Sequence, residues 1–203
     1  MAANPNRIFE GILGRITALI MARSNRAAEA EAVAELDPRA HHRVLVVGFG
    51  PGVGLRLLDE RLPEGHIAGV DPSEVMLRSA TRRNGRAVAD GRMELRQARA
   101  DALPFPDADF DGVITVNTIQ FWEPLAASVA EVARVLRPGG RLVAYTHDWA
   151  ITRVTGKDVE TWAHDTAEVC ARAGLGAARH WRARAEKGKS IAFSARKTEQ
   201  EPP

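Results

Sequence analysis

The chain has 203 residues, 45% of them hydrophobic, with 28 lysines and arginines against 26 aspartates and glutamates and a formal net charge of +2. A length of this order supports one self-sufficient domain that buries roughly 70% of the surface its unfolded chain exposes, and the composition excludes a disordered or fibrous chain. The single cysteine, Cys170, excludes an internal disulfide and a cysteine-built zinc site, and so slight a charge excess does not by itself mark a nucleic-acid binder.

From about Arg7 to Ser24, Ile8, Ile12, Ile16, Leu19, Ile20 and Arg23 recur at mainly helical spacing, which predicts an amphipathic helix. The apolar run from Ile16 to Met21 is too short to span a bilayer and lacks a clear cleavage region, so the reading is a cytoplasmic protein without a membrane span. An alanine- and glutamate-rich helix is expected from Asn25 to Leu36, stopped by Asp37-Pro38. Beyond His41 short apolar runs alternate with helices. Strands are expected at Arg43 to Val47, His66 to Val70, Met93 to Ala98, Phe110 to Val116 and Arg141 to Tyr145. Helices are expected at Val53 to Arg61, from Pro72-Ser73 to Arg83, at Pro124 to Leu136 before Pro138-Gly139-Gly140, and at Val159 to Ala173. Two β-like runs, Ala177 to Ala185 and Ser190 to Arg196, flank a turn at Gly188 and suit a hairpin.

This alternation predicts an α/β fold: a Rossmann-like, mostly parallel, seven-stranded sheet with helices on both faces and a C-terminal antiparallel hairpin strand. The expected organisation is a single domain over residues 1–203. N-terminal helices occupy 1–40, a cofactor-binding core 41–146, and a C-terminal helix and strand pair 147–203.

Ligands of open parallel sheets bind beyond the carboxyl ends of the strands. The first strand is followed by Gly48-Phe49-Gly50-Pro51-Gly52-Val53-Gly54, whose glycines permit positive φ and close ligand approach. A dinucleotide fingerprint needs glycine at Val53 or Leu55, and Pro51 interrupts the run of N–H donors that would cradle a pyrophosphate. The loop therefore suits a nucleoside ligand without a phosphate. Asp71, about twenty residues on at the second strand end, is placed to accept from both ribose hydroxyls, or else to cap the helix after Pro72. Asp101-Ala102 follows the third strand and offers a carboxylate and an N–H to an adenine edge.

In order and spacing, Val44 to Gly52, Gly69-Val70-Asp71-Pro72-Ser73, Asp101 to Pro106, Phe110-Asp111-Gly112-Val113 and Val135 to Gly140 resemble the class I S-adenosylmethionine-dependent methyltransferases. The likeness is to the type 11 group related to the ubiquinone and menaquinone C-methyltransferases, and covers about residues 41 to 146. It implies S-adenosyl-L-methionine as cofactor. Gly48, Phe49, Gly50 and Gly52 would line its methionine and ribose portion, Asp71 with Pro72 would hold the ribose, and Met76 would flank the adenine. Asp101 would accept from the adenine amine, the Ala102 N–H would meet a ring nitrogen, and the Asn117 backbone would border the methionine end. Phe49 replaces the cysteine common at its position, which contributes mainly backbone.

Such an enzyme works chiefly by aligning a nucleophile with an activated methyl carbon, and needs no metal. A base is required only where the acceptor loses a proton. His147, Asp148, Glu123, Tyr145 and His164 are the candidates. His147, directly after the fifth strand, is the catalytic choice, against a solvated loop histidine. Gln120-Phe121-Trp122 offers an aromatic wall, or core packing. The basic stretch Arg172 to Lys197 holds Trp181 and Phe193 and superficially resembles a stacking surface, yet charged edge strands also deter aggregation. The expected partner is a small-molecule acceptor, with nucleic acid disfavoured and the oligomeric state open. A protein or nucleic-acid acceptor, or a non-methylating use of the cofactor, is the alternative.

Overall fold

In the computed structural model, which describes residues 25–184 and 189–199, the strands are β1 (Arg43–Val47), β2 (His66–Asp71), β3 (Met93–Gln97), β4 (Phe110–Val116), β5 (Leu136–His147), β6 (Leu175–Arg182) and β7 (Ser190–Lys197). They form one sheet in the order β3-β2-β1-β4-β5-β7-β6. Neighbours among the first five are parallel, and β7 runs antiparallel to both β5 and β6. This is the Rossmann-like sheet with a terminal hairpin expected from the sequence. The helix expected at Arg7 to Ser24 and the turn at Gly188 lie outside the described residues.

The apolar run of β1 reflects burial on both faces. Val44 and Val46 point into one core layer, and Leu45 and Val47 into the other. The first layer is closed by α1 (Arg26–Leu36), α2 (Val53–Arg61) and α3 (Glu74–Arg83), and the second by α5 (Leu125–Val135) and α7 (Val159–Arg172). Leu36 of α1 packs where Gly112 of β4 lacks a side chain: a Cβ there would lie 2.7 Å from Leu36 Cδ1. Asp37 ends α1 with φ 48°.

Several elements depart from the sequence reading. Short α4 (Gly85–Ala89) and α6 (Asp148–Thr155) were not expected, nor was the 3-10 turn Ile119–Phe121. Pro138-Gly139-Gly140 does not separate helix from strand. The chain enters β5 directly at Leu136, and these residues form a bulge between the Phe110–Leu136 and Gly112–Arg141 pairs. β6 begins at Leu175, two residues earlier than expected, and is bulged between Gly176 and Arg179, where Ala177 takes φ 50°.

The strand order reverses at β1. From β1 the chain builds outward through β2 to β3, then returns to β4 on β1's other side. A crevice at such a point is where open α/β sheets bind ligands.

Candidate functional site

At the end of β1, Gly48, Gly50 and Gly52 have φ of 79°, 52° and 82°, which glycine adopts without the penalty of a side chain. The Gly48 N–H donates to the Val70 carbonyl at 2.8 Å, tying the loop to the end of β2. The three glycines do different work. A Cβ on Gly48 would strike the Thr118 side chain, and one on Gly52 would lie 2.8 Å from Ala80 Cβ and Asn84 Nδ2. At Gly50 a Cβ would meet nothing within 4 Å, so that backbone faces open space.

Asp71 stands across from it. Its Oδ2 accepts the Gly50 N–H and its Oδ1 the Ser73 N–H, both at 2.9 Å. The residue is 7% exposed. Burial pushes its carboxyl above the ordinary range, against the lowering effect of the two N–H donors. The helix-cap alternative belongs to Ser73 instead, whose Oγ accepts the Met76 N–H at 3.4 Å. Met76 is buried in the first turn of α3, and the Pro72 carbonyl accepts from Gln97 Nε2 at 3.0 Å.

Side chains distant in sequence hold this loop, and sequence reasoning missed them. Arg83 Nε donates to the Pro51 carbonyl at 2.9 Å and Asn84 Nδ2 to the Gly52 carbonyl at 3.1 Å. Thr118 Oγ1 donates to the Val47 carbonyl at 3.0 Å. No local pattern signals these contacts.

After β3, the Asp101 carboxylate receives Arg99 Nε and Nη2 at 2.8 and 3.0 Å, and that hydrogen bonding holds it below the ordinary carboxylate range. The Ala102 N–H turns back to the Arg99 carbonyl at 3.3 Å. The following loop is fastened to α5. Arg134 donates to the Leu103 and Phe105 carbonyls at 2.9 and 2.8 Å, and Glu131 accepts the Leu103 N–H at 2.8 Å.

Beyond β4, Asn117 takes φ 57°. Its N–H donates to the Tyr145 carbonyl at 2.7 Å, and its Oδ1 accepts the His147 N–H at 3.2 Å. Its Nδ2 donates to Asn25 Oδ1 at 3.1 Å, which brings the start of α1 to the strand ends. His147 is not a loop histidine: it ends β5 and precedes α6, with Nδ1 3.1 Å from Ser190 Oγ and its ring stacked on Trp149 at 5.8 Å.

The other base candidates are placed differently. Tyr145 is 1% exposed, and burial followed by Glu31 and Glu35 pushes its hydroxyl up. Asp148 binds Arg182 at 2.6 Å, and His164 sits on the surface of α7 beside Glu168 at 3.3 Å. Glu123 is exposed. Trp122 packs in the core and, with Ile119, Gln120, Leu125, Lys157 and Trp162, lines a cavity of about 160 Å³. No helix among the described residues is long and apolar enough to cross a membrane.

Residues 45–144 match the family model described as a methyltransferase domain. An uncharacterized methyltransferase, YdaC, of Bacillus subtilis is 32% identical over 126 residues, 62% of this chain and 67% of its own length. The demethylmenaquinone methyltransferase of Deinococcus radiodurans is 39% identical over 133 residues, 65% of this chain and 53% of its own length. The chain thus spans two thirds of the first relative and about half of the second. Among solved structures, a SAM-dependent methyltransferase from Aquifex aeolicus superposes with a TM-score of 0.74 at 19% identity, covering 93% of this chain and all of that one.

Proposed function

The chain belongs to the class I S-adenosylmethionine-dependent methyltransferases of type 11, and from that premise we propose that it methylates a small-molecule acceptor chiefly by positioning. The observation that carries this reading is the buried Asp71 carboxylate bonded to the Gly50 N–H at the crevice where strand order reverses. Asp71 keeps lone pairs for a ribose diol, and Gly50 leaves room for a nucleoside against the backbone. The site therefore fits the cofactor's nucleoside end. When bound, S-adenosylmethionine supplies a methyl carbon activated by its sulfonium.

The chain's own part is to orient and to exclude water. Gly48 and Gly52 hold the loop's shape, Met76 and the loop at Asp101-Ala102 border the adenine, and Asn117 borders the amino-acid end. Where the acceptor must lose a proton, His147 takes it, held beside Asn117 through its N–H.

A small acceptor is favoured by two observations. The cavity of about 160 Å³ between Trp122 and Trp162 has a ring-sized volume, with the two indoles, Ile119 and Leu125 beside the polar Gln120, Lys157 and Asp165, and the Deinococcus relative acts on demethylmenaquinone. The cations of the terminal strands are also engaged within the fold. Arg179 pairs with Glu35, Arg182 with Asp148, and Arg196 donates to the Gly139 carbonyl at 2.8 Å. That use argues against a nucleic-acid surface.

The test is to incubate the protein with S-adenosylmethionine and a panel of small cyclic acceptors, quinols included, and to read products by mass spectrometry. The expected result is an acceptor heavier by one methyl group, with S-adenosylhomocysteine formed in equal amount. An acceptor consumed without that gain would assign the site to a non-methylating reaction.

A further inference from the structure

Glu29 of α1 lies under the glycine loop and has no part in the reading above. Its carboxyl carbon stands 3.3 Å from where a Cβ on Gly54 would sit, and the Gly54 N–H, in the first turn of α2, bonds to it. Its Oε2 is buried without a partner among the described residues. Glu29 lines a cavity of about 20 Å³ together with Val33, Val46, Gly48, Phe49 and Val116. The space matches one water or one ammonium group, since about 10–15 Å³ suffices for a water.

The surroundings do not satisfy an anion. β1 and β4 present Val46, Ile114 and Val116 to the cavity, and α2 presents Leu58. The charged groups acting on Glu29 are Arg83 of α3 and Arg26 of its own helix. Burial outweighs both arginines and the Gly54 N–H, and pushes the carboxyl from its ordinary 4.5 to about 7. A cation delivered to this cavity would reverse that balance.

We propose that Glu29 is the counter-charge for the ammonium on the cofactor's amino-acid end, met at Gly48 directly or through one water, and that its carboxyl gives up a proton as the cofactor binds. In that step the carboxyl O–H bond breaks, the proton passes to solvent, and the ammonium balances the carboxylate left behind. The inference rests on the cofactor site proposed above and adds a residue and a proton to it.

The test is calorimetric titration of the full chain with S-adenosylhomocysteine, which carries the ammonium, and with 5′-methylthioadenosine, which lacks the amino-acid end. Each is run in buffers of differing ionisation enthalpy, to count protons. S-adenosylhomocysteine is expected to release close to one proton at about pH 6, and to bind up to about tenfold more tightly at about pH 7.5. 5′-Methylthioadenosine and the Glu29→Gln variant should show neither effect. Equal proton release by both nucleosides, release unchanged in Glu29→Gln, or no release from the parent protein would overturn the assignment while leaving the cofactor site intact. Failure of both nucleosides to bind would overturn the cofactor site and this inference with it. Because the parent protein alone can show no release, the test holds even if the variant does not fold.

Discussion

The Gly50 N–H donates to Asp71 Oδ2 at 2.9 Å, so the loop after β1 and the end of β2 are joined directly. In the proposed site, the carboxylate assigned to the ribose also sets the conformation of the backbone assigned to the nucleoside. Such preorganisation lowers the ordering cost of binding.

Asp71→Ala should therefore damage binding twice, by removing the acceptor of the ribose hydroxyls and by releasing the Gly50 backbone. Lost charge-assisted hydrogen bonds, partly replaced by water, give an expected loss of about 2–4 kcal/mol, or some 30- to 1000-fold in affinity for S-adenosylhomocysteine. Asp101→Ala should lose about tenfold at most, because Arg99 already engages both of its oxygens. Titration of both variants, with melting curves alongside, checks the ranking. An Asp71→Ala protein that binds like the parent would remove β2's end from the site.

Gly50→Val and Gly48→Ala should fail in different ways. The Gly50→Val side chain enters open space, so the fold should survive a backbone strain of about 1–2 kcal/mol while cofactor affinity collapses. The new methyl of Gly48→Ala collides with Thr118, so the expected loss is of stability. Circular dichroism melts paired with ligand titration distinguish the two. A Gly50→Val protein with intact affinity would contradict the placement of the nucleoside.

Arg134→Ala should loosen the loop after β3, which the proposed site sets against the adenine. It strips donors from the Leu103 and Phe105 carbonyls and leaves Glu131 without its cation. A stability loss of about 1–3 kcal/mol is expected, with a several-fold weaker affinity for adenosine ligands. Thermal melts and titration measure both. Unchanged affinity would mean that this loop does not contact the adenine.

Glu29 predicts the sign of a pH dependence. Its folded value, about 7, lies above its ordinary 4.5, so the folded protein holds this proton more tightly than the unfolded chain. Its contribution to stability is therefore greatest below about pH 4.5, falls as the pH rises to about 7, and is level above. Glu29→Gln should flatten that decline, gaining about 1–3 kcal/mol relative to the parent near neutrality. Denaturant melts of both proteins across this range measure the difference, and parallel curves would contradict the burial of an ionisable group here.

The strands nearest the site were legible because their patterns are local. Val44 to Val47 is apolar throughout, since both faces of β1 are covered, and Gly48 marks its end. The position of Asp71 at the end of β2 beside the glycine loop was readable from its spacing. What stayed hidden depends on partners far along the chain. Arg83, Asn84 and Thr118 hold the loop across the fold, and Glu29 lies in an otherwise unremarkable helix. Pro138-Gly139-Gly140 read as a stop signal because a bulge exists only relative to the strand beside it. His147 read as a loop residue because α6, whose first turn carries Asp148, went unrecognised.

The most direct test of the cofactor assignment is side-by-side calorimetry of the purified chain with S-adenosylhomocysteine and with NAD. The glycine spacing, Pro51 and the Gly50–Asp71 bond predict saturable heat with S-adenosylhomocysteine and none with NAD. At about 100 times its dissociation constant the nucleoside should also add roughly 2.7 kcal/mol to stability. Tight NAD binding with no heat from S-adenosylhomocysteine would contradict the assignment.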